Sequence, residues 1–113
     1  MKMSLEFHLQ AKDQARHQEI LRPKSSIEVE IKHSTASGLA ETGGSFELQL
    51  LARNKVSNEW EVVGTATVGI GGRTRSVFDE LDAETEYSVG VYYKRWNDAI
   101  DSELSVDGSI SVR

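Results

Sequence analysis

The run Leu81, Asp82, Ala83, Glu84, Thr85, Glu86, Tyr87 constrains this chain more than any other stretch. It leads straight into Ser88, Val89, Gly90, Val91, Tyr92 and Tyr93. Tyr87, Val89, Val91 and Tyr93 alternate with Ser88, Gly90, Tyr92 and Lys94, so one face is apolar at a period of two. A corner that opens into such a strand suits a chain crossing between two packed sheets. Leu81 plugs the core, and the Tyr87 phenol is expected to bond backbone a few residues upstream. Leu81, Thr85 and Tyr87 are therefore expected to be structural.

The rest of the chain repeats the alternation in short runs. Residues 4–11 read as a first strand, with Leu5, Phe7 and Leu9 on one face. Three such residues rarely stay exposed, so this strand is expected to pair along a sheet edge, in its own molecule or a neighbour's. The polar run 12–19 reads as a loop or one helical turn. Ile20 and Leu21 restart a strand, and Pro23, the sole proline, marks an edge or turn.

Further strands are expected at 26–33 (Ile27, Val29, Ile31), 46–53 (Phe46, Leu48, Leu50), 59–70, 73–78, 87–94 and 105–113, the last with an interruption at Asp107 and Gly108. Residues 34–45, 54–58 and 95–102 are loops or turns, and glycines at 69, 71 and 72 break the chain between strands. No strand alternates with a helix. The fold class is all-β: an antiparallel β-sandwich of seven or eight strands in a single domain, 1–113. Within it, 1–25 is an N-terminal strand and connecting segment, and 26–113 is the sandwich core.

Residues 26–113 resemble a fibronectin type III domain, within the wider set of immunoglobulin-like sandwiches. That family's corner reads Leu-x-Pro-x-Thr-x-Tyr. Leu81, Thr85 and Tyr87 match in register, and Ala83 stands where the proline would be. The resemblance implies strand B at 26–33, C at 46–53, C′ at 59–70, E at 73–78, F at 87–94 and G at 103–112. Ile31 stands near the place of the family's strand-B tryptophan, and the Arg-Gly-Asp loop of some members is absent. A related immunoglobulin-like sandwich is the alternative.

Charge and composition narrow the function. The net charge of −5 argues against a general nucleic-acid binder and against docking on anionic lipid. With no cysteine, thiolate zinc sites are excluded and stability rests on packing. No apolar run follows Met1, Lys2 and Met3 as in a signal peptide, and no window has the apolar length of a membrane span. The compartment stays open.

Little in the sequence suggests chemistry. His8, His17 and His33 are far apart and read as exposed or edge residues. No serine sits in a Gly-x-Ser-x-Gly elbow. The glycines before Arg73 and Arg75 read as a turn, because no helix follows to cradle a phosphate. Asp79, Glu80, Asp82, Glu84 and Glu86 lie at one end of the 87–94 strand, and Asp98, Asp101 and Glu103 beyond the other. They cannot share an ion and read as solvated carboxylates. No catalytic residue, metal or cofactor is expected.

Four aromatics remain to be placed. Tyr93 faces the core with Tyr87, and Trp60 reads as core. Tyr92 faces outward. Trp96 sits among Arg95, Asn97 and Asp98, either as an exposed anchor for a partner or as a lid over the sandwich end. The reading is a non-enzymatic protein-interaction module that binds through loops at one end, with Arg95, Trp96, Asn97 and Tyr92 as its binding residues. The alternative is a structural subunit of a bacterial or phage surface or virion assembly that oligomerises through strand edges. Carbohydrate binding through Trp96 and Tyr92 is third.

Overall fold

The computed structural model describes residues 3–36, 44–93 and 103–113. They form eight strands: β1 (Met3–Ala11), β2 (Gln14–Arg16), β3 (Ile27–Ala36), β4 (Ser45–Arg53), β5 (Trp60–Gly69), β6 (Thr74–Phe78), β7 (Tyr87–Tyr92) and β8 (Leu104–Val112). The pairing is nested. β1 pairs with β8, β2 with β7, β3 with β6 and β4 with β5, all antiparallel. The chain thus runs out and back as one long double ribbon. Two further pairings, β3 with β8 and β4 with β7, fold that ribbon into two sheets. Their orders are β1-β8-β3-β6 and β2-β7-β4-β5. Two four-stranded antiparallel sheets with this connectivity make a β-sandwich of jelly-roll type.

The period-two residues build the core. Ile27, Val29 and Ile31 of β3, Val89 and Val91 of β7, and Leu104, Val106 and Ile110 of β8 are completely or almost completely buried. Burying one such side chain contributes about 1.5–3 kcal/mol. Outward positions of β8 carry Ser105, Asp107, Ser109 and Ser111, short polar residues that fit between two flanking strands.

Three expectations need correction. The pairing of β8 departs from the fibronectin type III assignment, in which strand G lies beside F. Here β8 lies between β1 and β3, because β1 supplies nine residues of matching alternation for it to pair with. The corner motif dictates the local link from β6 to β7 and not the order of the sheets. Second, residues 14–16 are a strand rather than a loop or helical turn, paired to β7 from Gln14–Tyr92 to Arg16–Gly90. The N-terminal quarter therefore supplies an edge strand to each sheet, and Phe7, Leu9, Ala11 and Leu21 are part of the core.

Third, β8 is not interrupted at Gly108. The irregularity lies opposite, in β3, where the register shifts between Ile31 and His33. Gly108 is needed for space: a Cβ there would lie 2.2 Å from the Glu30 carbonyl oxygen and 2.9 Å from the Phe7 ring. Phe7, its cross-strand partner, fills that gap.

At the corner, Tyr87 is buried and its phenol oxygen accepts the Asp82 N–H at 3.0 Å. Tyr87 and Leu21 exchange backbone hydrogen bonds at 2.8 and 2.9 Å, and the Leu81 N–H donates to Ser25 O. Leu81 packs half-buried against the core. The Thr85 hydroxyl donates to Asp82 Oδ2 at 3.0 Å, while Asp82 Oδ1 accepts the Glu84 N–H. These bonds hold the Asp82 carboxyl below its ordinary pKa, the Glu84 N–H contributing most.

Candidate functional site

The outer face of the β2-β7-β4-β5 sheet gathers the polar and aromatic side chains best placed to meet a ligand. Its registers set out cross-sheet rows. Gln14, Tyr92, Glu47 and Thr67 form the first, and Arg16, Gly90, Gln49 and Thr65 the second. Ser88, Leu51 and Val62 follow, then Arg53 and Trp60.

The half of this face around Trp60 is closed. Arg16 on one edge strand reaches its guanidinium over the Trp60 ring on the other, 4.5 Å from the centroid. Arg53 approaches the same ring at 5.9 Å. This stack explains why Ser88 and Leu51, on outward positions of the central strands, are 0% and 5% exposed. Arg16 also donates to His17 O at 3.2 Å and to Ser88 Oγ at 3.4 Å, and Ser88 Oγ donates to His17 O at 2.9 Å. Trp60 is therefore a half-buried surface ring and not a core residue, because it pairs with outward-facing Arg53. Gly90 is kept bare by close neighbours: a Cβ would lie 2.8 Å from Ala15 O and 3.0 Å from Leu51.

The half around Tyr92 is open. Gln14 Nε2 donates to Gln49 Oε1 at 3.1 Å, and Gln49 Nε2 donates to Glu47 Oε1 at 2.8 Å. Gln49 is only 6% exposed, so its carboxamide is held in one orientation by partners on both sides. The relay ends at the Glu47 carboxylate, which flanks Tyr92 on one side as Gln14 does on the other. Tyr92 itself is 39% exposed. Together these groups offer a flat ring, a carboxamide and a carboxylate within one row.

Of the expected binding residues, Tyr92 faces outward in this row. Arg95, Trp96 and Asn97 lie outside the described residues. The chain leaves those residues after Tyr93 and re-enters at Glu103, so Arg95, Trp96 and Asn97 follow Tyr92 closely in the chain. Gln14, Glu47 and Gln49 are not singled out by the sequence. Their signal is the outward parity of polar residues on β4, readable only once β2 is known to be a strand.

The histidines separate. His8 and His33 are exposed on the outer face of the other sheet, and both approach Asp107, His8 Nδ1 at 2.6 Å and His33 Nδ1 at 4.0 Å. His17 is not an exposed edge residue: its Nδ1 is buried without a partner, and its ring meets Phe7 edge-on at 6.1 Å. Among the described residues, no group of three or more histidines and carboxylates is placed to hold a metal ion. The acidic corner is partly neutralised, Glu86 pairing with Arg22 and with Arg53.

No protein-family model and no curated protein matches the chain. Among solved structures, the chain is similar to the Yersinia pseudotuberculosis-derived mitogen, at 16% identity and a TM-score of 0.47. The match covers 96% of this chain and 84% of that one.

Proposed function

We propose that the protein is a non-enzymatic binding module that takes a protein partner on the open half of the β2-β7-β4-β5 face. The observation that carries this reading is Tyr92, exposed between Gln14 and Glu47 above a carboxamide fixed from both sides. A half-exposed aromatic ring set among held polar groups supplies contact area at little entropic cost. Arg95, Trp96 and Asn97 follow within five residues in the chain, and Arg and Trp are types enriched at interface hot spots.

The relay also favours a second reading, carbohydrate binding. Sugar hydroxyls both donate and accept, as a carboxamide beside a carboxylate requires. A sugar face would stack on Tyr92 while Gln14 and Glu47 bond its rim.

A photo-crosslinking phenylalanine analogue at position 92, which keeps an aromatic ring there, tests both. It is expected to capture a partner that unlabelled protein competes away and that Gln14→Ala or Glu47→Ala weakens. The same probe at Ser105, on the other sheet, is expected to capture nothing. A glycan array run alongside reads the carbohydrate arm. Equal capture from positions 92 and 105, with no glycan bound, would contradict the proposal.

A further inference from the structure

Four strands lie at sheet edges: β1 and β6 in one sheet, β2 and β5 in the other. An edge strand presents unpaired N–H and C=O groups that invite another strand, and proteins blunt such edges with brevity, charge or proline. Three of the four are blunted. β2 has three residues, and β6 has five and carries Arg75. β1 carries Glu6 and His8 outward.

β5 differs. It runs ten residues, WEVVGTATVG, and its one charge is Glu61, near one end. A bulge at Val63 disturbs its first half, where the register with β4 shifts from Leu51–Val62 to Leu50–Gly64. Residues 64–69 then run regularly to the end of the strand. Alongside, Val63 and Val77 are each 54% exposed. They border a shallow groove with Phe78, whose ring lies 3.0 Å from a Cβ built on Gly64.

We infer that β5 is a homodimerisation edge, whose partner is β5 of a second copy of this chain. The strand is self-complementary in the antiparallel sense. A two-fold axis at Ala66 sets Thr65 of each copy against Thr67 of the other, a favourable cross-strand pair. It sets Gly64 against Val68, both core-facing, so facing is preserved. The same axis brings the Glu59 and Glu61 end of one copy toward the Gly71 to Arg73 end of the other, where exposed Arg73 is the first charge after the strand. A parallel pairing in register would instead oppose Glu61 to Glu61. The antiparallel pair joins two four-stranded sheets into one of eight and covers the Val63 and Val77 strip. The edge borders the same open half of the sheet, Thr67 ending the row of Tyr92 and Glu47, but the inference rests on strand pairing and not on the ligand proposed there.

Sedimentation velocity from about 1 to 200 µM reads the assembly by mass action. The wild-type chain is expected to reach twice its 12.6 kDa mass. Thr67→Lys is expected to raise the dissociation constant at least about tenfold, with unchanged circular dichroism, by adding charge at the paired edge. Gln10→Lys, on β1, is expected to leave the dimer intact. Amide exchange supplies a readout that needs no variant: protection at residues 65–68 is expected to fall on dilution. A wild-type chain monomeric throughout would overturn the inference. So would a dimer that survives Thr67→Lys, or exchange at 65–68 that ignores concentration.

Discussion

Tyr87 and Asp82 close the corner between the sheets: the phenol oxygen accepts the Asp82 N–H at 3.0 Å across five residues. The Tyr87 side chain is buried, while Asp82 is exposed and the bond between them part-buried. Tyr87→Phe is expected to cost about 0.5–1.5 kcal/mol in urea unfolding, since it removes only the acceptor. A loss within measurement error would show that the bond does not hold the corner.

Phe7 and Gly108 form the matching lock between the first and last strands. Phe7→Ala is expected to cost about 3–5 kcal/mol by leaving a cavity over Gly108. Gly108→Ala is expected to destabilise as well, because its Cβ would meet both the Phe7 ring and the Glu30 carbonyl. Deleting residues 1–12 removes β1 and is expected to lower the melting temperature. Unchanged melting of the truncated chain would contradict the pairing of β1 with β8.

The Arg16–Trp60 stack is expected to be visible in fluorescence. In a Trp96→Phe background only Trp60 emits. Arg16→Ala should then shift its emission to the red, increase quenching by iodide and cost about 0.5–2 kcal/mol through the lost cation–π contact. Emission and quenching unchanged by Arg16→Ala would mean the guanidinium does not cover the ring.

Asp82 sets the direction of one pH effect. Its carboxyl titrates below its ordinary value when folded, chiefly through the Glu84 N–H and then the Thr85 hydroxyl. A group depressed on folding contributes stability above its unfolded pKa and loses it as pH falls through the folded one. The stability difference between wild type and Asp82→Asn is therefore expected to be largest near neutrality and to shrink below about pH 4. A difference that stays constant into stronger acid would refute the assignment.

Much of this fold is legible in the sequence because alternation at period two is a local property. Residues 4–11, 26–33, 46–53 and 87–94 show it plainly, and the Leu81 to Tyr87 spacing marks the corner. Sheet order is not legible, since which strands become neighbours depends on contacts far apart in sequence. β2 escapes a sequence reading because three residues, Gln14, Ala15 and Arg16, are too few to show a period. That omission hides the candidate site as well. Gln14 and Arg16 meet Gln49 and Trp60 only after β2 docks on β7, so the polar relay and the ring stack have no signature of their own. Gly108 reads as a break because its real cause, the Phe7 ring, lies on the first strand.

The binding face itself is tested most directly by titrating isotope-labelled protein with its captured partner, or with any oligosaccharide the array returns, and mapping amide shifts. The changes are expected to concentrate at Gln14, Glu47, Gln49, Thr67 and Tyr92, and Tyr92→Ala is expected to abolish them. Shifts confined to the outer face of the β1-β8-β3-β6 sheet, or unaltered by Tyr92→Ala, would contradict a binding site on this face.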